Sequence, residues 1–191
     1  MDNKNILLCG VGGQGTVLAS KLLAAAAMAK DIPVMSAETI GMAQRGGSVF
    51  SHLRMGGELY SPMIAKNSAD IIIGFEPAET VRMLPYLKKD GYIVTSSKPI
   101  VPATSSLKGS AYNGAEMIDY LREHVKNLIV VDAESACREI GSAKVLNMVL
   151  LGAAIRTGVL DLTEEDIKRA VDTMVNPKFR ELNFEALDYV K

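Results

Sequence analysis

Cysteine and histidine are scarce in this 191-residue chain, which carries only Cys9, Cys137, His52 and His124. Two cysteines cannot supply the four thiolates of an iron–sulfur cluster. Cys9 also falls inside an apolar run, where a thiol behaves as a small hydrophobe. Two histidines, one of them in the charged stretch Arg122-Glu123-His124, leave no constellation suited to hydride transfer. Excess charge is missing as well: a formal net charge of −1 excludes a general nucleic-acid binder, and a hydrophobic fraction of 48% excludes disorder. Long apolar runs are absent too. The longest, Val145 to Ile155, is interrupted by Asn147 and falls short of the ~18 residues that suggest a membrane span, so it reads as a buried helix. The polar start Met1-Asp2-Asn3-Lys4-Asn5 lacks the apolar stretch and cleavage site of a secretory signal, which makes the cytoplasm the expected location. The length suits one domain spanning 1–191.

Glycine, in contrast, is concentrated where it matters. Gly10-Val11-Gly12-Gly13-Gln14-Gly15 follows the apolar run Ile6-Leu7-Leu8-Cys9 and leads into the helix-forming stretch Thr16 to Ala29. A strand, a glycine turn and a helix mouth form a cradle of phosphate size. The first N–H groups of a helix lack internal partners and sit at its positive dipole end, and glycines let anionic oxygens approach that backbone. A second unusual segment, Gly41-Met42-Ala43-Gln44-Arg45-Gly46-Gly47-Ser48, sets an arginine beside a glycine pair.

Four more short β-branched runs follow, at Pro33–Ser36, Ile71–Gly74, Tyr92–Thr95 and Leu128–Val131, with helical stretches between most of them. Apolar strands alternating with helices require a mostly parallel sheet covered on both faces. A helix is expected from Pro77 to about Lys88, ended by the turn Asp90-Gly91. Alternation over Ser48 to Met55, followed by Gly56-Gly57 and Glu58-Leu59-Tyr60, predicts a hairpin and therefore a mixed sheet, with His52 and Arg54 together on a solvated face. Lys98 to Gly114 reads as a long loop, and the last third as helices near 116–125, 144–157, 163–175 and 180–189, with Thr163 as an N-cap. The expected fold is a three-layer α/β/α, Rossmann-like domain with a mostly parallel, mixed sheet and a helical C-terminal third.

Gly10, Gly12 and Gly15 satisfy the dinucleotide spacing, and Glu38 stands where a ribose-binding acid is found, so a nicotinamide-dependent enzyme is one reading. Anion binding is the stronger one, and tight helix-on-strand packing is the structural alternative. Arg45 offers a planar fork to a carboxylate or phosphate, or to an acid across a subunit boundary. Glu76, Glu79 and Arg82 share a helix face and suit capping and ion pairing better than acid catalysis. The helices at Thr16–Ala29 and around Asn147 are apolar nearly all round, which predicts that other subunits cover them.

Taken together, these segments are similar to one family. The glycine loop, Gly41 to Val49, Ser51-His52-Leu53-Arg54, Tyr60-Ser61-Pro62, Phe75 to Arg82, Gly141 to Gly152 and Asn183 to Ala186 resemble the gamma-type subunit of 2-oxoacid:ferredoxin oxidoreductases. Gln44 before Arg45-Gly46-Gly47, together with Ser61-Pro62, looks most like the indolepyruvate branch rather than the pyruvate one. The resemblance implies oxidative decarboxylation of a 2-oxoacid with coenzyme A to acyl-CoA, carbon dioxide and reduced ferredoxin. It implies that thiamine diphosphate and 4Fe-4S clusters belong to a partner subunit and that ferredoxin accepts the electrons of the complex; in the isolated chain a homodimer could bury the apolar helices otherwise given to that partner. It offers no catalytic residue here. Gly10, Gly12, Gly13, Gln14, Gly15 and Arg45 are the candidate contacts to coenzyme A or to a partner. A non-catalytic interaction module is the remaining alternative.

Overall fold

Alternation of side chains along β1 (Lys4–Val11) sets the layering of the molecule, whose computed structural model describes residues 2–38, 47–101 and 112–190. Ile6 and Leu8 point to one face and Leu7 and Cys9 to the other, and all four are fully buried. The strand is therefore covered on both sides, as a continuous apolar run requires.

The described residues form six strands and seven α-helices in the order β1, α1 (Thr16–Met28), β2 (Val34–Glu38), β3 (Ser48–Met55), β4 (Ala69–Gly74), α2 (Pro77–Met83), β5 (Leu87–Ser96), α3 (Ala115–His124), β6 (Asn127–Val131), α4 (Ala133–Ile140), α5 (Leu146–Arg156), α6 (Glu164–Met174) and α7 (Arg180–Leu187). The sheet order is β2-β3-β1-β4-β5-β6. β4 runs parallel to β1, β5 to β4 and β6 to β5. β3 is antiparallel to both neighbours, with Leu8 opposite Ser51 and Ser36 opposite Leu53. One face packs Ile6, Leu8, Leu53, Ile71 and Val94 against α1 and α4 to α7, and the other packs Leu7, Ile72 and Ile93 against α2 and α3. The predicted α/β/α architecture with its helical last third is the observed one.

The hairpin is not. β3 pairs with β1 and β2, while Glu58–Tyr60 is not a strand. Gly56, at φ 118°, turns the chain into a segment that crosses the sheet face. Along that path the Ile64 N–H donates to His52 Nδ1 at 3.2 Å and Arg54 Nη1 donates to the Ser61 carbonyl at 2.8 Å. His52 is consequently buried, with Phe50 and Tyr86 edge-on to its ring, and the expected solvated face is covered. The helix after Pro77 also stops earlier than its pattern suggests. A 3-10 turn, Leu84–Tyr86, with Pro85 at its centre follows directly, and Asp90-Gly91 lies within β5, where the pairing with β4 shifts register.

The apolar helix around Asn147 needs no foreign cover. Every α5 residue from Leu146 to Ile155 is buried within the chain, between the sheet and α1, α4 and α7. α7 crosses so closely that a Cβ on Gly152 would stand 2.0 Å from the Leu187 carbonyl oxygen. α1 is buried along one side by the sheet and α6 and leaves Val17 and Met28 exposed.

Candidate functional site

The carboxyl ends of β1, β4, β5 and β6 and the start of β3 lie on one edge of the sheet, where open α/β folds place ligands. The glycine loop is wired into this edge by its own side chain. Gln14 Oε1 accepts the Val11 N–H at 2.7 Å, and Gln14 Nε2 donates to the Phe75 carbonyl at 2.8 Å, tying the end of β1 to the end of β4. Gly10 is dictated by that wiring, since a Cβ there would fall 2.7 Å from both Gln14 Oε1 and Phe75 Cβ. Gly12 donates its N–H to the Gly47 carbonyl at 2.9 Å, joining the two glycine segments.

Gly13 and Gly15 have a different task. Both adopt positive φ, 102° and 84°, which strains any other L-residue, and Gly15 caps α1 with no side-chain cap of its own. Space around Gly13 is open, whereas Gly15 lies against the Asn147 amide. Of the predicted site residues, the structure thus gives Gly10, Gly12 and Gln14 to holding the loop and leaves Gly13 exposed and Gly15 half-buried beside Asn147, with Gln14 between them. Arg45 and Gln44 lie outside the described residues. Glu38 ends β2, but β3 is inserted between β2 and β1, so the acid stands about two strand spacings (~10 Å) from the loop's strand rather than one. The geometry does not bring it to the glycines as a ribose-binding acid.

In front of Gly13, Gln14 and Gly15 lies a cleft of about 380 Å³, also lined by Lys98, Cys137, Lys144 and Asn147. Lys98 and Lys144 are exposed and make no ion pair among the described residues. Partial burial raises the Cys137 thiol above its ordinary range, and the Lys98 ammonium pulls it back in part. Cys9, fully buried within β1, is pushed up further by burial, with the nearby Glu79 adding to the effect, and is inert as a thiolate. Neither Lys98 nor Lys144 stands out in the sequence, because Lys98 opens the stretch read as a long loop and Lys144 is a single charge at the start of an apolar helical stretch. Asn147 does stand out, as a polar residue in an apolar helix, though its neighbour across the cleft is visible only in three dimensions.

A second polar group lies beneath the same edge. Glu76, 2% exposed, caps α2 by accepting the Glu79 N–H at 3.0 Å and also accepts the Ile100 N–H at 3.4 Å and the Tyr112 hydroxyl. Glu79 accepts the Ser48 hydroxyl at 2.6 Å and pairs with Arg82 at 3.4 Å. Burial first, and then Glu76, hold the Tyr112 hydroxyl protonated well past its usual range. These carboxylates are fastened to the fold, which is the capping and ion-pair role their spacing predicted. Among the described residues, no group of three or more His, Cys, Asp or Glu side chains is placed to hold a metal ion, and no helix is long and apolar enough to cross a membrane.

Known proteins carry the same pattern. Residues 5–190 match the family described as pyruvate ferredoxin/flavodoxin oxidoreductase. The chain is 37% identical to the indolepyruvate oxidoreductase subunit IorB of Pyrococcus horikoshii and 36% identical to that of Thermococcus kodakarensis, in each case over 98% of this chain and 94% of the relative. In fold it is similar to the 2-oxoglutarate:ferredoxin oxidoreductase of Magnetococcus marinus, solved with 2-oxoglutarate, coenzyme A and succinyl-CoA bound. The TM-score is 0.73 at 19% identity, over 99% of this chain and 30% of that one.

Proposed function

The chain belongs to the pyruvate ferredoxin/flavodoxin oxidoreductase family, and from that premise we propose that it is the non-thiamine-binding, gamma-type subunit of an oxidoreductase acting on an aryl 2-oxoacid, indolepyruvate first among them. The observation that carries this reading is the 37% identity to an indolepyruvate oxidoreductase subunit along nearly the whole of both chains. The complex would decarboxylate the 2-oxoacid with coenzyme A, passing two electrons to ferredoxin and releasing acyl-CoA and carbon dioxide.

The chemistry of bond breaking fits the partner subunit better than this chain. Thiamine diphosphate supplies the carbanion stabilisation and iron–sulfur clusters take the electrons. Here Cys9 is buried in β1 and Cys137 lies on α4, and two thiols do not make a cluster. The chain's own contribution is a single gamma-type domain, 1–191, that presents a glycine loop to the complex. Gly13 and Gly15 expose backbone at the mouth of α1, suited to the phosphates of coenzyme A, while Gly10, Gly12 and Gln14 hold that backbone in place. Arg45 is assigned to the same ligand or to the partner's surface. The cytoplasm is the proposed location, where ferredoxin serves as acceptor.

Co-expression with a large thiamine- and cluster-bearing subunit tests this. The expected result is a stable complex that reduces ferredoxin with indolepyruvate and coenzyme A, at least tenfold faster than with pyruvate, while the separate chain turns over neither. Failure to co-purify, or turnover by the separate chain, overturns it.

A further inference from the structure

An undefended strand borders the sheet on the side away from β2. β6 ends the strand order, and its register with β5 runs from Tyr92 opposite Asn127 to Ser96 opposite Val131 without a bulge. The Val131 carbonyl accepts the Ser97 N–H at 2.9 Å, which turns the backbone of Val131, and by alternation that of Ile129, toward β5. Leu128 and Val130 therefore aim their N–H and C=O groups away from the sheet, where they have no partner among the described residues. Edge strands ordinarily carry a charge, a proline or a bulge that discourages further pairing. β6 has none of the three across Leu128-Ile129-Val130-Val131, whereas β2 at the opposite edge carries Glu38. Leu128 and Val130 pack in part against the core on the α2 and α3 side and Ile129 against the other core, and all three stay half-buried.

The residues along this edge are complementary to themselves when reversed. With Ile129 on a two-fold axis, antiparallel pairing sets Leu128 opposite Val130 of a second copy, and these are the positions whose backbone groups face outward. A hydrogen-bonded antiparallel pair exchanges both of its N–H···O bonds, so the two symmetry-related pairs satisfy every outward group of Leu128 and Val130 in both copies. Ile129 then meets its own counterpart at the closer, non-hydrogen-bonded position, apolar against apolar. Three residues to either side of the axis, the exposed Lys126 of one copy comes opposite the exposed Asp132 of the other, and the symmetry makes this ion pair twice. Moving the axis to Leu128 or to Val130 keeps the hydrogen-bonding parity but sets Lys126 against Val130, or Asp132 against Leu128. Charge thus selects the register centred on Ile129.

We infer that β6 pairs with β6 of a second copy of this chain, joining two sheets across a two-fold axis at Ile129, with Lys126–Asp132 ion pairs at both ends of the contact. A five-residue edge is a small contact beside the ~1,200 Å² at which stable interfaces begin, so the dimer forms and dissociates with concentration in the micromolar range. Because the strands run antiparallel across the axis, the two glycine-loop edges point to opposite ends of the joined sheet. Each stays open to a partner subunit.

Sedimentation of the full chain across the micromolar range tests this, and a monomer–dimer equilibrium is expected. Val130→Pro, which deletes an outward N–H and no bond to β5, should abolish the dimer. Lys126→Glu and Asp132→Lys should each weaken it at least tenfold, and an equimolar mixture of the two variants, in which every ion pair is restored, should recover wild-type affinity within threefold. Asp132 also caps α4, so the Tm of its variant is followed, and Lys126→Glu, altered at an exposed position, carries the test should that variant misfold. In a Cys137→Ser background, Ile129→Cys is expected to give a disulfide-linked dimer on oxidation, and Leu128→Cys at most a tenth as much. A monomer at every concentration, a dimer that survives Val130→Pro or Lys126→Glu, or equal cross-linking at the two positions overturns the inference. Protection of the Leu128 and Val130 amides from exchange only when a large thiamine-bearing subunit is added gives the edge to that subunit and overturns it as well.

Discussion

His52 shows how much a single side chain depends on what crosses above it. Its Nδ1 accepts the Ile64 N–H, which leaves Nε2 as the protonated nitrogen, and that atom is buried without a partner among the described residues. Burial lowers its pKa from the ordinary histidine value, so the folded protein holds it neutral where the unfolded chain begins to take up a proton. The unfolded state then binds more protons, and stability rises with pH through this window. His52 therefore contributes stability in full above about pH 6.5, and the contribution is lost as pH falls below that value. Urea unfolding of the wild type and of His52→Gln between pH 5 and 8 checks this: the wild-type midpoint should decline on the acid side, and the variant's profile should be flatter. Alternation alone correctly put His52 on one face of β3 with Arg54, but could not say that residues 57–68 would cover that face.

Among the elements, α5 shows the same boundary between what is written locally and what is not. Its all-round apolar character is legible in the sequence and correctly marks it as buried, but the cover turned out to be α7, α4 and the sheet rather than a second subunit. Contacts between residues far apart in the chain decide that, and no window of sequence contains them. α4 went unread for a related reason: Ala133–Ile140 offers only Ala133, Ala136 and Ile140 to the core, too few apolar residues to mark a helix by period. The caps, in contrast, are short-range chemistry and were legible. Thr163 and Asp166 form a reciprocal capping box at the start of α6, and Glu76 caps α2. Gly152 is where α5 is least tolerant. Because the Leu187 carbonyl oxygen would stand 2.0 Å from a new Cβ, Gly152→Ala must push α7 away from α5 and is expected to cost about 3 kcal/mol, at the upper end for overpacking, read as a lowered urea midpoint with unchanged slope.

For the molecule as a whole, the two cores lie on opposite faces of the same six strands and share their backbones. Neither layer can lose its sheet without unmaking the other. Unfolding is expected as one cooperative transition, with far-UV circular dichroism and tyrosine fluorescence, undisturbed by tryptophan since the chain has none, giving coincident curves. Separate midpoints would divide the chain into independent units and refute the one-domain assignment. The alternating strand-and-helix pattern made this architecture legible. The strand order was not, because an antiparallel β3 between β1 and β2 leaves no mark in composition. Yet that order governs the edge where the glycines sit. Since the Gly12 amide ends on the Gly47 carbonyl, the mouth of α1 is gauged by how far β3 has slid along β1. A slip that kept the same side chains facing inward would have to be two residues long, carrying Gly47 about 7 Å away. The two motifs, more than thirty positions apart in the chain, can therefore drift only in step.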